Sequence, residues 1–300
     1  LDTIDAFEQD IQLQVEFLKK VKLQRTLSAQ LQKKSVFCGT GDSFASALLA
    51  EVFSDYRARA VDPHDLAKNK SLQEKQAYFV SISGNTISNV RAARLVKNTV
   101  AITRNRASRL AMACRHVIHL DYVDSGVLTC GSIGFVASML ACISLVKKIK
   151  LKNTGRLFAA AKAQSKIALK NKVYVLGSQY TYPLAMYAAA KMYEALGTDA
   201  HYERTEQFSH MGLFSAKKGD TVMIYEEKNP YTKQLHSNLK RLGLHVYNPS
   251  IVSKSKIDQV LFYAFVSQLV ALNNAKTRGL SECHFVTSKK IRNASSDMIY

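Results

Sequence analysis

Short apolar runs alternate with helical segments along this chain, and the alternation occurs twice. In the first half the runs are SVFCG (35–39), RARAVD (57–62), AYFVSIS (77–83), TVAITR (99–104) and HVIHLD (116–121). Helical spacing fills 43–55, 64–72, 86–96 and 106–114, and a longer helix is expected over about 130–150. In the second half KVYVLG (172–177), GDTVMIYE (219–226), LHVYN (244–248) and ECHFVT (282–287) read as strands, with helices from Pro183 to Leu196, near 231–242 and at 256–275. Parallel strands need long crossovers, and crossover helices cover both sheet faces, so the strands become apolar on both sides. The expected fold class is therefore α/β: two domains in tandem, each a parallel sheet flanked by helices in three αβα layers.

Two further segments complete the expected organisation. Ile4, Phe7, Ile11, Val15, Phe17, Leu18 and Val21 recur at helical spacing without glycine or proline, which predicts one or two leading helices over 1–33. The stretch NTGRLFAAAKAQSKIALKN (153–171) reads as a helical linker rich in Ala and Lys. The domains are thus expected at 34–152 and 172–300.

Composition excludes several classes. With 47% hydrophobic and 22% charged residues, the chain can bury a full core. The most apolar run, Gly134 to Val146, is too short to span a bilayer and is interrupted by Ser138 and Ser144. Asp2, Asp5, Glu8 and Asp10 make the start too acidic for a secretory signal, so a cytoplasmic location without membrane contact is expected. The five cysteines show no CxxC or His-rich spacing, and neither a disulfide framework nor a metal site is expected. The formal charge of +19 attracts phosphates. Its Lys and Arg are dispersed, as in LKK, KKIK and SAKKG, which describes a solvated surface and not a nucleic-acid-reading module.

The candidate anion site lies where two strands end. CGTGDSFASA (38–47) places Gly41 and Ser43 at a helix start, and FVSISGNTISNV (79–90) does the same with Ser81, Ser83, Gly84, Asn85 and Thr86. Helix N-termini present N–H groups and a partial positive charge, glycines admit close approach, and hydroxyls donate. Either loop alone also reads as an ordinary helix cap. GTGDSF begins like a dinucleotide fingerprint, with Asp62 where a ribose-binding acid would lie, but Phe44 occupies the third glycine position. In the second half Lys191 and Glu194 stand at i, i+3 and share a helix face with Tyr187. By itself that spacing describes a surface ion pair, and His210 alone an ordinary histidine.

The two turns, in this order, resemble the SIS (sugar isomerase) phosphosugar-binding domain, in which a G-x-G-x-S-type turn and an S-x-S-G-[NE]-[TS] turn jointly hold a sugar phosphate. DSGVLTCGS (124–132) resembles a segment of the isomerase half of glucosamine-6-phosphate synthase, itself two such domains, and the resemblance extends over most of 34–300. It implies a phosphate cradle made by the two loops, with Val127 and Lys191 as further substrate contacts. It also implies catalysis by Glu194, which would move a proton between C1 and C2. His210, sixteen positions later, would assist ring opening from the neighbouring subunit of a homodimer, as in archaeal phosphoglucose/phosphomannose isomerases. TRGLSECHFVTSKKIR resembles the synthase tail and implies Lys290, with Lys289 the alternative, as a sugar-contacting lysine. No cofactor is implied.

The roles suit their residue types: an acid/base to open the ring, a base to carry the proton through an enediol, and a cation beside the enediolate. The chain also departs from the pattern. Tyr187 stands where the synthase has glutamate, Gln207 and Ser209 replace a glutamate and a lysine, and Cys130–Gly131 replace a Thr-Lys pair. Ammonia transfer from glutamine is not expected within these residues, which hold no glutamine-hydrolysing segment, and the Pro-Arg pair of the phosphoglucose/phosphomannose isomerases is missing. Three expectations follow: a hexose 6-phosphate aldose–ketose isomerase, an amino-sugar phosphate deaminase or isomerase, or a non-catalytic phosphosugar-binding regulator.

Overall fold

The computed structural model describes all 300 residues. In chain order the elements are α1 (Thr3–Lys20), α2 (Ala29–Lys33), β1 (Ser35–Cys38), α3 (Asp42–Phe53), β2 (Arg59–Val61), α4 (Pro63–Lys68), α5 (Lys70–Gln73) and β3 (Gln76–Val80). There follow α6 (Ile87–Ala93), β4 (Asn98–Thr103), α7 (Arg109–Ala113), β5 (His116–His119), α8 (Ile133–Val146) and α9 (Thr154–Gln164). The rest are β6 (Val173–Gly177), α10 (Tyr182–Leu196), β7 (Ala200–Arg204), α11 (Thr205–His210), β8 (Thr221–Tyr225), α12 (Pro230–Arg241), β9 (His245–Tyr247), α13 (Lys256–Thr277), α14 (His284–Thr287) and α15 (Lys289–Ile299).

The strands form two sheets, ordered β2-β1-β3-β4-β5 and β7-β6-β8-β9. Every pairing is parallel. This is the α/β class that the doubled alternation requires. Each sheet anchors a compact unit. The five-stranded unit contains Lys20–Val123, Ile133–Lys150 and Lys290–Tyr300, and the four-stranded unit contains Leu1–Lys19, Asp124–Ser132 and Leu151–Lys289.

In the five-stranded unit, β1 is buried along its whole length and Phe37 stacks on Tyr78 of β3 with ring centroids 4.9 Å apart. Val36, Cys38, Phe79, Val90 and Leu110 form the core on one sheet face. All of α8 is buried, as a helix apolar on every side must be. No helix of the chain is long and apolar enough to cross a membrane.

In the four-stranded unit, Tyr174, Leu176, Val222 and Ile224 of β6 and β8 pack with Phe208 and Leu239. The long helix α13 is buried along most of its 22 residues. The N-terminal helix α1 docks through Gln14, whose Nε2 donates to Gln268 Oε1 at 2.8 Å.

Three sequence expectations are corrected. ECHFVT (282–287) is not a strand: Cys283 precedes the short helix α14, and only Cys283 of this stretch is buried. The fourth strand of that sheet is instead β7, AHYER, at the sheet edge. Its alternation of buried, half-buried and exposed residues gave no apolar run to detect, as is usual for an edge strand. The 153–171 helix ends at Gln164. Beyond it Asn274 holds the chain extended, accepting from Leu169 N at 3.0 Å and donating to Ile167 O at 2.7 Å.

Candidate functional site

The two candidate loops leave adjacent strands. β1 pairs directly with β3, Cys38 opposite Phe79, so GTGDS and SISGNT begin side by side at the carboxyl ends of neighbouring strands. In an order 2-1-3-4-5 the chain leaves β1 toward one edge and later returns on its other side. The crevice at this reversal is where open α/β sheets bind ligands.

The loop geometry requires its glycines. A Cβ on Gly39 would stand 2.8 Å from the Ser43 backbone. Gly84 has φ +66°, and a Cβ there would lie 2.1 Å from Ser108 Oγ. Gly41 adopts φ +54° at the N-cap of α3 with open space around it. Ser81, buried, accepts from Gly84 N at 3.1 Å and lies 3.3 Å from Thr86 Oγ1. Ser83 Oγ, exposed, accepts from Asn85 N at 3.3 Å. Asn85 is engaged by Arg109, whose Nη2 donates to its carbonyl at 2.9 Å.

Ordinary capping does not account for these hydroxyls. Asp62, Asn69, Ser108 and Ser255 each accept a backbone N–H at the start of their own helices. Thr86, at the N-cap of α6, makes no such bond, and the N-cap of α3 is Gly41 with Ser43 already inside the helix. The Ser43 and Thr86 side chains therefore stand at helix starts without serving as caps.

The four-stranded unit holds the second constellation, on α10. Pro183 opens this helix and Gly197, at φ +61°, closes it. Tyr187 and Lys191 are fully buried, while the Glu194 side chain keeps 34% of its surface exposed. Lys191 Nζ stands 2.5 Å from Glu194 Oε2 and 5.0 Å from the centroid of the Tyr187 ring. Tyr187 OH donates to Gly131 O at 2.6 Å and accepts from Gln268 Nε2 at 2.9 Å. The surface-pair reading of Lys191–Glu194 is thereby overturned, because the ammonium is enclosed, with a carboxylate and a ring among its partners.

The remaining expected residues make contacts of their own. His210 ends α11 with its side chain 69% exposed, and its Nε2 lies 3.3 Å from Glu206 Oε1. No hydrogen bond joins it to Glu194. Val127 is half-buried in the segment Asp124–Ser132 of the four-stranded unit, with its N–H directed to Ser125 Oγ at 3.4 Å. Lys290 and Lys289 are both exposed on the first turn of α15. Two features escaped the sequence reading. One is Gln268, 81 residues from Tyr187, and the other is the approach of Cys130 and Cys283 to 3.5 Å across 153 residues. Neither leaves a local signal. No group of three or more His, Cys, Asp or Glu side chains is arranged to hold a metal ion.

No family model matches the chain. Its fold is nevertheless that of known sugar-phosphate proteins, an SIS-type α/β fold. The glucosamine-6-phosphate deaminase of Thermotoga maritima superposes with a TM-score of 0.73 at 21% identity, covering 93% of this chain and 95% of that one. The tagatose-6-phosphate ketose/aldose isomerase of Escherichia coli gives 0.65 at 20% identity, covering 92% and 89%. In sequence, the glutamine–fructose-6-phosphate aminotransferase (isomerizing) of Sulfurisphaera tokodaii is 23% identical over 312 residues, covering 93% of this chain. The chain spans about half the length of that curated relative, 51%.

Proposed function

We propose that the chain is a sugar-phosphate aldose–ketose isomerase acting on a hexose 6-phosphate. The observation that carries this reading is the enclosed Lys191, set between the Tyr187 ring and a Glu194 carboxylate that is itself partly open to solvent. A fixed carboxylate that stays accessible suits a base carrying a proton between neighbouring carbons.

In this reading the phosphate oxygens accept from the loops at the ends of β1 and β3, through Ser43, Ser81, Ser83, Asn85, Thr86 and the backbone around Gly41 and Gly84. Val127 completes the substrate contacts; the contact expected of Lys191 is not compatible with its full burial, and Lys191 instead positions the Glu194 carboxylate. His210 moves the ring-opening proton from sugar hydroxyl to ring oxygen. Glu194 takes the proton from C2 of the aldose, or C1 of the ketose, and returns it to the adjacent carbon. Lys290 offsets the enediolate charge between those events. The exposure of His210 supports its donation to a second copy of the chain in a homodimer. Both α/β units are then read as SIS-type domains in tandem.

The likeness to the glucosamine-6-phosphate deaminase favours a second reading, in which the same base acts on an amino sugar phosphate and ammonia is released. Proton NMR in D₂O distinguishes the two. Fructose 6-phosphate and glucosamine 6-phosphate are incubated separately with the protein and with the Glu194→Gln variant. Deuterium entering C1 or C2, and absent with the variant, is the expected result, and the product identifies the reaction. Binding of both sugars with no exchange would sink both catalytic readings and leave a phosphosugar-binding regulator.

A further inference from the structure

Cys130 and Cys283 lie far apart in the chain but meet in the four-stranded unit, where the Cys130 thiol donates to the Cys283 sulfur at 3.5 Å. Both are buried. The surroundings hold Cys283 in place. Its backbone N–H donates to Thr3 Oγ1 at 2.7 Å, and Thr129 Oγ1 lies 3.6 Å from its sulfur. The charged groups around the pair are Glu194 and Lys191, which act on Cys130, and Glu282, whose carboxylate takes the Thr3 hydroxyl at 2.5 Å.

We propose that Cys130 and Cys283 form a reversible disulfide on exposure to a hydroperoxide, a redox modification that ties the segment 124–132 to the C-terminal segment. The bond requires the sulfurs to close from hydrogen-bond distance to roughly 2.05 Å. That is a local movement for two side chains already in contact.

The two thiols are unequal in a way that suits the chemistry. The hydrogen bond from Cys130 chiefly, aided by Thr129 and Thr3 against the opposing effect of burial, draws the Cys283 thiol down to about 6. Burial pushes Cys130 up. Cys283, whose sulfur receives the Cys130 thiol, is thus the attacking thiolate and Cys130 the resolving thiol, the reaction proceeding when local opening admits the hydroperoxide to the buried pair. Cys283 sulfur attacks the terminal oxygen of the hydroperoxide, the O–O bond breaks, and an alcohol (water, for hydrogen peroxide) leaves with the proton. Cys130 then gives up its proton and attacks the sulfenic sulfur, expelling water. Two thiols and one hydroperoxide yield one disulfide, one alcohol and one water. The two sulfurs are oxidised by two electrons and the peroxide is reduced by two. Cys38 hydrogen-bonds with Asn89 and Cys114 with Thr99, and burial pushes the thiols of Cys38, Cys114 and Cys142 upward.

The test treats the native chain with hydrogen peroxide and follows free thiols, intact mass and peptide linkage, none of which depends on the proposed isomerase activity. The expected result is a fall from the five thiols of the sequence to three, with loss of about 2 Da, a linked peptide pair containing Cys130 and Cys283, and full reversal by a dithiol reductant. The Cys130→Ser variant should instead retain a sulfenic acid at Cys283 that a cyclic dione labels, while the wild type escapes labelling. A wild-type chain that keeps five thiols, goes straight to sulfinic acid, or links any other pair overturns the proposal. That wild-type result stands whether or not the variant folds.

Discussion

The carboxyl ends of the two sheets share a topology and differ in chemistry. In each, the first strand of the sheet (β1 or β6) lies between the second and third, so each has a reversal point suited to a ligand. At the five-stranded end the loops offer glycines and hydroxyls that do not serve as caps. At the four-stranded end, the loops after β6 and β8 bring Ser178 and Glu226 together. The Ser178 hydroxyl donates to Glu226 Oε1, which also accepts from Thr205 Oγ1 at 2.7 Å. The hydroxyls there are already spent on a carboxylate, and Glu227 adds a second negative charge. Topology supplies a reversal point in both cases, but the second commits its hydroxyls to a carboxylate, and the anion site is proposed at the first. The four-stranded unit contributes a different asset, the enclosed Lys191 against Glu194 on α10.

This division predicts separable defects. The largest effect should come from Glu194→Ala, which leaves the Lys191 ammonium buried without its carboxylate and costs on the order of 3–5 kcal/mol. Thermal or urea unfolding reads that loss directly. Glu194→Gln keeps an acceptor oxygen for Lys191 and should remain folded, hold sugar phosphate near the wild-type affinity, and lose deuterium exchange. If the Gln variant instead loses binding with exchange, the two units do not divide the work.

Gly84→Ala comes next. The residue needs a left-handed backbone, and its new methyl would collide with Ser108 Oγ. Backbone strain of about 1–3 kcal/mol is expected together with collapse of the loop that Ser81 and Thr86 close. Sugar-phosphate binding should be lost by calorimetry while α10, in the other unit, keeps its Lys191–Glu194 pair. Thr86→Val is milder. Deleting one hydroxyl donor to a charged phosphate should cost about 1.5–3 kcal/mol, a tenfold to hundredfold rise in Kd. An unchanged Kd would mean that the hydroxyl faces away from the ligand.

The strands of the first half, the helix α10 and the long helix at 256–275 were legible because periodicity and apolar runs are local properties. β7 was not, since an edge strand with one wet side carries no continuous apolar run, and ECHFVT misled because short β-branched and aromatic segments also suit a tail lying half-buried. The candidate residues were found through motif spacing, but their environment was not. Nothing around Lys191 announces that its ammonium is enclosed, because the residues enclosing it include Tyr187 one turn away and, behind that ring, Gln268 and Gly131 from distant segments. The Cys130–Cys283 contact is of the same kind. Contacts made by chain return are set by the packing of whole elements, which the linear order does not encode locally.

The smallest expected effect is the one that tests the comparison from its other side. Glu226→Gln leaves one carbonyl oxygen to accept from Ser178 and Thr205, so stability should fall by only about 1 kcal/mol. The affinity for fructose 6-phosphate should not change, because the anion is assigned to the loops after β1 and β3. Should calorimetry instead show tighter binding or a second phosphate equivalent, then Glu226 had been repelling an anion from a crevice otherwise able to take it. The two sheet ends would then differ by a single charge and not by construction.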